Sequence, residues 1–227
     1  MNMLRPFLLP CLAIAAMAPL HAADGVVQVK LGAIVVRTFE QVQADGMRYA
    51  PKQDFEPATN ETRVYLPYGG NRKLYHEVVG QLSDPAVGSC AEFVCDGGDK
   101  ASSLTYKLAF DKPIASFRCR IGYTELVQAP TSVAGVEYSL DGKAWKTVKE
   151  HPKGTKSVVD LCPDTVAVTG LNTKLLYLRM YARDSANPTA ASGPEMYLKS
   201  RISGDPGWGD ATSTFFNSQN QVWVTGK

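Results

Sequence analysis

The residues best suited to ligand chemistry are tyrosines and arginines that alternate along the segment from residue 175 to residue 183. Tyr177, Arg179, Tyr181 and Arg183 take the outward positions, and leucines and a methionine take most of the inward ones. An aromatic ring stacks on the C–H face of a sugar ring, and an arginine fork pairs with a carboxylate in two-pronged fashion. The pattern predicts a surface that binds an acidic polysaccharide.

More residues join this surface if neighbouring strands lie in the same sheet as the Tyr/Arg segment. They are Arg118, Arg120, Tyr197, Lys199 and Arg201. The alternative interpretation is structural, because tyrosine favours strands and a strand arginine is often solvated or paired with glutamate.

Trp208 is a second candidate, because it lies between two glycines in a polar segment. A large ring in such a loop either packs down as a lid or stacks on a ligand. Asp205 and Asp210 flank it, and with loop carbonyls they would form a weak calcium site. Their spacing does not match a full calcium loop, so turn capping is the competing interpretation. Beyond this structural calcium, no cofactor is predicted.

Catalytic residues have little support in the sequence. His76, beside Glu77, is the only histidine in a plausible pocket position, and no nucleophile elbow, zinc motif or phosphate-binding glycine run is present. We therefore predict a non-catalytic binding domain. The alternatives are a structural or protein-interaction domain of the envelope or extracellular space, and a polysaccharide lyase or hydrolase that uses Tyr, Arg and His.

Four cysteines remain if the first 23 residues are removed: Cys90, Cys95, Cys119 and Cys162. An even number in an exported chain predicts disulfides, although four cysteines allow three connectivities. A bridge from Cys119 to Cys162 would join neighbouring strands, whereas one from Cys90 to Cys95 would close a small loop. Zinc binding is disfavoured because neither spacing matches a zinc motif.

The elements that position these residues are read from alternation. Residues 104–110 and 117–123 predict two strands with a turn at Asp111-Lys112-Pro113, and residues 43–62 predict a long surface loop. Many short strands with almost no helical period predict an all-β fold, an antiparallel β-sandwich of the jelly-roll type.

The strongest local signal is the Asp141-Gly142 pair, which predicts a hairpin with a two-residue turn. That turn would pair Tyr138 with Trp145 on one face and Glu137 with Lys146 on the other. The two aromatic rings would then face each other in the core layer.

The hairpin also resembles a known family. Residues 138–145 are similar to the YS-x-DG-x-x-W hairpin of galactose-binding-like domains, the discoidin, coagulation-factor type C and carbohydrate-binding-module group, and the run LYLRMYA from Leu176 resembles the strand that follows it. The resemblance covers residues 100–225 and implies a galactose-binding-like β-sandwich. It implies a structural role for the hairpin, so Asp141 and Trp145 inherit no binding role. The hairpin also looks like the Asp-box of sialidase propellers, but it occurs once and a propeller needs repeated blades.

The N-terminal residues predict export. Arg5, an apolar stretch from residue 7 to residue 20 and small residues before Asp24 are typical of a cleaved signal peptide over residues 1–23, too short for a transmembrane segment. The remaining residues, 24–227, then form a single domain, secreted or periplasmic. It contains 23 basic and 22 acidic residues, a balance that gives no electrostatic case for nucleic acid. The predicted partner is a glycan or an extracellular or envelope protein.

Overall fold

The fold is described from a computed structural model of the 227-residue chain. The structure describes residues 25–34, 53–66, 72–79, 81–83, 91–94, 102–124, 126–127, 132–152, 158–184, 197–200 and 220–227. Within these ranges almost all regular structure is strand, and the predicted all-β antiparallel sandwich is confirmed. The predicted signal peptide lies outside them.

The described ranges contain fifteen strands and one turn of 3-10 helix, Arg72–Leu74. The strands are β1 (Val26–Val29), β2 (Gln53–Glu56), β3 (Glu61–Tyr65), β4 (Glu77–Val79), β5 (Gln81–Ser83), β6 (Ala91–Val94), β7 (Ser102–Thr124), β8 (Leu126–Val127), β9 (Ser132–Ser139), β10 (Lys146–His151), β11 (Val158–Cys162), β12 (Ala167–Val168), β13 (Thr173–Asp184), β14 (Tyr197–Ser200) and β15 (Gln221–Gly226). No helix among the described residues has the length and apolar character needed to cross a membrane.

The strands form two sheets. The larger sheet has eleven strands, with the path β10-β9-β13-β7-β15-β3-β2 and with β1, β4, β11 and β12 also paired to β7. The smaller sheet has the order β5-β6-β14-β8. Strand β1 pairs with β7 in parallel, and the other registered pairs are antiparallel. Strand β7 is therefore the centre of the fold.

Strand β7 is continuous over 23 residues, so the predicted turn at residues 111–113 is wrong. Its neighbour changes there: β1 pairs with β7 as far as Phe110, and β15 pairs with it from Ile114 onwards. Since residues 111–113 have no register partner, the missing N–H of Pro113 costs no ladder hydrogen bond. The inward positions change from even to odd numbers between Ile114 and Phe117, which keeps both halves of the strand facing the core.

One hydrophobic core contains side chains from both halves of β7 and from β1, β3, β9, β13 and β15. The predicted inward positions of the long strands are confirmed as buried: Leu104, Tyr106, Leu108, Phe110, Phe117, Cys119, Ile121, Leu176, Leu178 and Met180. Phe117 packs edge-to-face against Tyr138 of β9, with ring centroids 5.3 Å apart. The alternate residues of the same strands are thereby directed to the outer face, where ligand binding was predicted.

The prediction of an unbroken surface loop over residues 43–62 is wrong at Gln53–Glu56, which forms β2 against β3. Gln53 is only 4 % exposed, and its side-chain amide donates to the carbonyls of Lys30 and Ala33. A polar residue is buried here because it satisfies backbone groups of a turn distant in sequence.

Candidate functional site

The hairpin between β9 and β10 has a different register from the one predicted. Lys146 pairs with Tyr138 and Thr147 pairs with Glu137, so the prediction is wrong by one residue. Because side chains alternate along a strand, a slip of one residue moves each of them to the opposite face. Trp145 therefore lies on the outer side of the sheet and not against Tyr138 in the core.

The loop of this hairpin is closed by side-chain hydrogen bonds and is longer than two residues. Oδ1 of Asp141 accepts the N–H groups of Lys143 and Ala144 at 2.8 Å each. The hydroxyl oxygen of Ser139 accepts the N–H of Gly142 at 2.9 Å, and Gly142 has the positive φ of 75° that glycine adopts readily. These local bonds replace the ladder bonds of a tight turn and delay the start of β10.

Asp141→Asn is expected to destabilise the protein only where the native carboxylate is charged. The N–H groups of Ala144 and Lys143, with the Ser139 hydroxyl, lower the pKa of Asp141 to about 2, against about 3.9 in an unfolded chain. A depressed pKa contributes stability that is present above pH ~4 and is lost as the pH falls towards 2. The melting temperatures of the wild type and the variant should therefore differ at pH 6 and converge near pH 2. A difference independent of pH would contradict this account of the loop.

Trp145 is held at the surface by an arginine stack. The guanidinium of Arg179 lies over the indole ring, with its central carbon 3.7 Å from the ring centroid. Nε of Arg179 donates to Oε1 of Glu137 at 2.6 Å, and Glu137 is its direct cross-strand partner. The Glu137 side chain is 7 % exposed and that of Arg179 is 23 % exposed, so the acid is buried beneath the base. The two terminal amino groups of Arg179 have no partner among the described residues.

Three more side chains surround this stack. Lys107 is the cross-strand neighbour of Tyr177, and its ammonium lies 5.4 Å from the centroid of that ring. His76 contacts the same ring edge-on at 5.3 Å. We call His76, Lys107, Trp145, Tyr177 and Arg179 the Arg179 patch. Lys107 has no acidic partner within the ranges that the structure describes, whereas Arg179 is paired with Glu137.

A buried hydroxyl lies beside the patch without a hydrogen bond. Thr105 is the partner of Arg179 on one side and of Glu77 on the other, and it is fully buried. Its Oγ1 has no partner in the described part of the chain. Buried polar groups are satisfied in nearly all proteins, so a buried hydroxyl without a partner calls for an explanation such as an ordered water.

A second arginine stack, on the other half of β7, provides a comparison. Arg118 lies over Trp223 at 4.1 Å from the ring centroid. Unlike Arg179, it has acids on all of its nitrogens: Glu61 accepts from Nε at 3.1 Å and from Nη2 at 2.8 Å, and Asp164 accepts from Nη1 at 3.4 Å. The hydrogen bond to Glu61 raises the pKa of Arg118 above its ordinary value. Each of the three nitrogens of the Arg118 guanidinium therefore has an acidic partner.

The predicted Tyr/Arg surface is divided by the fold. Strand β14, with Tyr197 and Lys199, belongs to the smaller sheet, and the Arg118 stack lies on the other half of β7, beyond residues 111–113. Tyr177 is 8 % exposed and Tyr181 is 1 % exposed, so neither ring presents a free face. The hydroxyl of Tyr181 donates to Oε2 of Glu150 at 2.5 Å. Arg120 is half-buried on the outer side of β7.

Several predicted site residues cannot be placed in this geometry. The side chain of Arg183, and the whole of Arg201, Trp208, Asp205, Asp210, Cys90 and Cys95, lie outside the described residues. No group of three or more His, Cys, Asp or Glu side chains suited to a metal ion occurs in the described ranges.

The predicted Cys119–Cys162 disulfide is supported only in the pairing of the two strands. Their strands, β7 and β11, are paired, and the two Sγ atoms are 3.7 Å apart. This is a contact between thiols and not a disulfide bond.

Sequence reasoning missed the half-buried Trp145 and the partly exposed Lys107 as members of the site. Trp145 was assigned to the core because the turn was taken as two residues long. The polar side chain of Ser139, two residues before Asp141, is the signal for the longer loop. Lys107 was predicted to point outward, but nothing local places it beside Tyr177. No known protein-family model matches the chain, and no curated protein is significantly similar to it.

Proposed function

We propose that the protein is an exported, non-catalytic β-sandwich that binds acidic polysaccharide through the Arg179 patch. The observation that supports this most directly is the guanidinium of Arg179. It is fixed in orientation by Trp145 below and Glu137 beside it, while its two terminal amino groups have no partner in the part of the chain that the structure describes. A guanidinium fork held in this way matches the two oxygens of a carboxylate or sulfate.

The charges around the fork favour an anionic sugar over a neutral one. Lys107 adds a second cation, and register places it diagonally across from Arg179. Glu137 neutralises one charge at the base of the patch, and Glu77 lies exposed on β4 beyond Thr105. The remaining positive charge is small, so moderate affinity that weakens with salt is expected.

The half-buried edge of Trp145 supplies the apolar part of the proposed site. Its face is covered by Arg179, so a sugar ring would pack against the indole edge and the guanidinium plane together. The resemblance of the hairpin to galactose-binding-like domains supports the same class of ligand, although there the hairpin is structural.

Affinity electrophoresis tests the proposal. Native gels containing polygalacturonate or chondroitin sulfate should retard the protein, and gels containing dextran should not. Arg179→Lys keeps a cation beside Glu137 but removes the guanidinium fork, and Lys107→Gln removes the ammonium group over Tyr177. Each change should weaken retardation about five- to tenfold, the equivalent of about 1–1.4 kcal/mol.

The chain offers matched controls for both variants. Arg118→Lys alters the guanidinium over Trp223, each nitrogen of which has an acidic partner, and Lys112→Gln removes an exposed lysine from the same strand as Lys107. Both should leave retardation within twofold of the wild type. No retardation of the wild type by any acidic polysaccharide, or equal loss in patch and control variants, would reject this function.

A protein-interaction role is the second candidate, and one observation favours it. Leu140, at the start of the hairpin loop that carries Trp145, is 38 % exposed. Exposed apolar side chains beside an aromatic and an arginine are typical of protein interfaces. Absence of sugar binding would favour this role over the first.

A further inference from the structure

Cys119 and Cys162 form a pair of neighbouring thiols that could become a disulfide, separate from the Arg179 patch. Their Sγ atoms are 3.7 Å apart, and both side chains are fully buried in the core. Cys162 is in register with Ile121, two residues from Cys119, at an irregular point of the β7–β11 ladder. An S–S bond is about 2.0 Å long, so modest rotations of the two side chains would close the gap.

The surroundings of the pair prevent the folded protein from reacting with an external oxidant. The thiolate is the reactive form of cysteine. The hydrogen bond between the two thiols and their burial both raise the pKa of Cys119 well above its ordinary value. Neither sulfur is accessible to a second molecule, and thiol–disulfide exchange requires such access.

We propose that Cys119 and Cys162 form a disulfide only while the chain folds, so that the redox state of this pair records whether an oxidant was present during folding. With a small disulfide as oxidant, one cysteine thiolate attacks it to give a mixed disulfide and releases one thiolate. The second cysteine thiolate attacks the mixed disulfide, forms the Cys119–Cys162 bond and releases the second thiolate. The two protons lost by the cysteines are taken up by the two released thiolates.

The test uses the full chain with Cys90→Ala and Cys95→Ala, so that Cys11 is the only other cysteine. One reduced, denatured sample is refolded with oxidised glutathione, and a second is refolded with reductant and then transferred to oxidised glutathione. Both are sampled over time, alkylated in denaturant and digested after lysine. Mass spectrometry then measures the cross-link between the fragments that end at Lys143 and Lys174, which contain Cys119 and Cys162.

The first sample should become cross-linked as it folds, and the second should do so at least tenfold more slowly. Reduction of the cross-linked protein should lower its melting temperature by roughly 10 °C, because the bond restrains the unfolded chain. No cross-link in the first sample, or equal rates in both, would overturn the proposal. A reduced chain that cannot fold would also overturn the proposal. Every folded molecule would then contain the disulfide, and the redox state of the pair would carry no information about the oxidant. Retention on acidic polysaccharide is independent of these outcomes.

Discussion

Gly135→Ala is expected to destabilise the protein by about 3 kcal/mol, because no room exists for a side chain at this position. A Cβ atom on Gly135 would lie 2.3 Å from the backbone oxygen of Lys149 and 2.8 Å from the hydroxyl of Tyr181. Tyr181 is the cross-strand partner of Gly135, and it reaches over the glycine to its hydrogen bond with Glu150. The added methyl group would push β10 away from β9 and break that bond. The melting temperature should fall by roughly 10 °C.

Two controls separate this steric effect from other causes. At Gly226 the nearest atom to a Cβ is a methyl carbon of Leu31 at 3.3 Å, the flexible end of a side chain. Gly226→Ala should therefore change stability by no more than about 0.5 kcal/mol. Adding Tyr181→Phe to Gly135→Ala removes the hydroxyl but leaves the clash with Lys149, so it should not restore stability. A Gly135→Ala protein as stable as the wild type would contradict the packing of β10.

Arg179→Met should lower the free energy of unfolding by about 2–4 kcal/mol at neutral pH, mainly because it leaves the buried Glu137 carboxylate without its partner. Nε of Arg179 is 2.6 Å from Oε1 of Glu137, and the Glu137 side chain is 7 % exposed. The loss of the stack on Trp145 adds a smaller effect of about 1 kcal/mol. Chemical denaturation of both proteins measures the difference.

A double-mutant cycle identifies the cause. Glu137→Gln removes the charge that Arg179→Met leaves unpaired, so the double variant should be less destabilised than the sum of the single variants, by about 1–3 kcal/mol. Arg118→Met with Glu61→Gln provides the corresponding cycle on the other half of β7, where the acid is less buried, at 17 % side-chain exposure. Simple additivity at Arg179 and Glu137 would show that the ion pair is not coupled. Arg179→Lys, which keeps a cation beside Glu137, should avoid most of this loss.

Alternation in the sequence was sufficient for the core faces of the long strands, although it placed a turn within β7 and missed β2. The inward residues of β7 and β13 are buried as predicted, since burial of one face requires apolar residues at every second position. The all-β class followed from the same pattern. The outward position of Arg179 and Arg118 was also predicted correctly, because both residues lie between inward apolar residues of their strands.

The sequence could not determine what the outward residues contact. Each nitrogen of Arg118 donates to Glu61 or Asp164, which lie on distant segments, whereas among the described residues Arg179 meets one acid through one nitrogen. Both arginines have similar sequence surroundings. Only the pairing of strands decides which guanidinium keeps free donors, since an ion pair depends on three-dimensional distance and not on local pattern.

The division between sequence and tertiary structure is clearest at the hairpin. The sequence by itself determined that a hairpin forms around Asp141-Gly142 and that Glu137 and Arg179 point outward. The loop length was decided by the hydrogen bonds of Ser139 and Asp141, and it shifted the register by one residue. Because side chains alternate with a period of two, this shift took Trp145 out of the core and placed it under Arg179. The proposed binding site exists because of that single step in register.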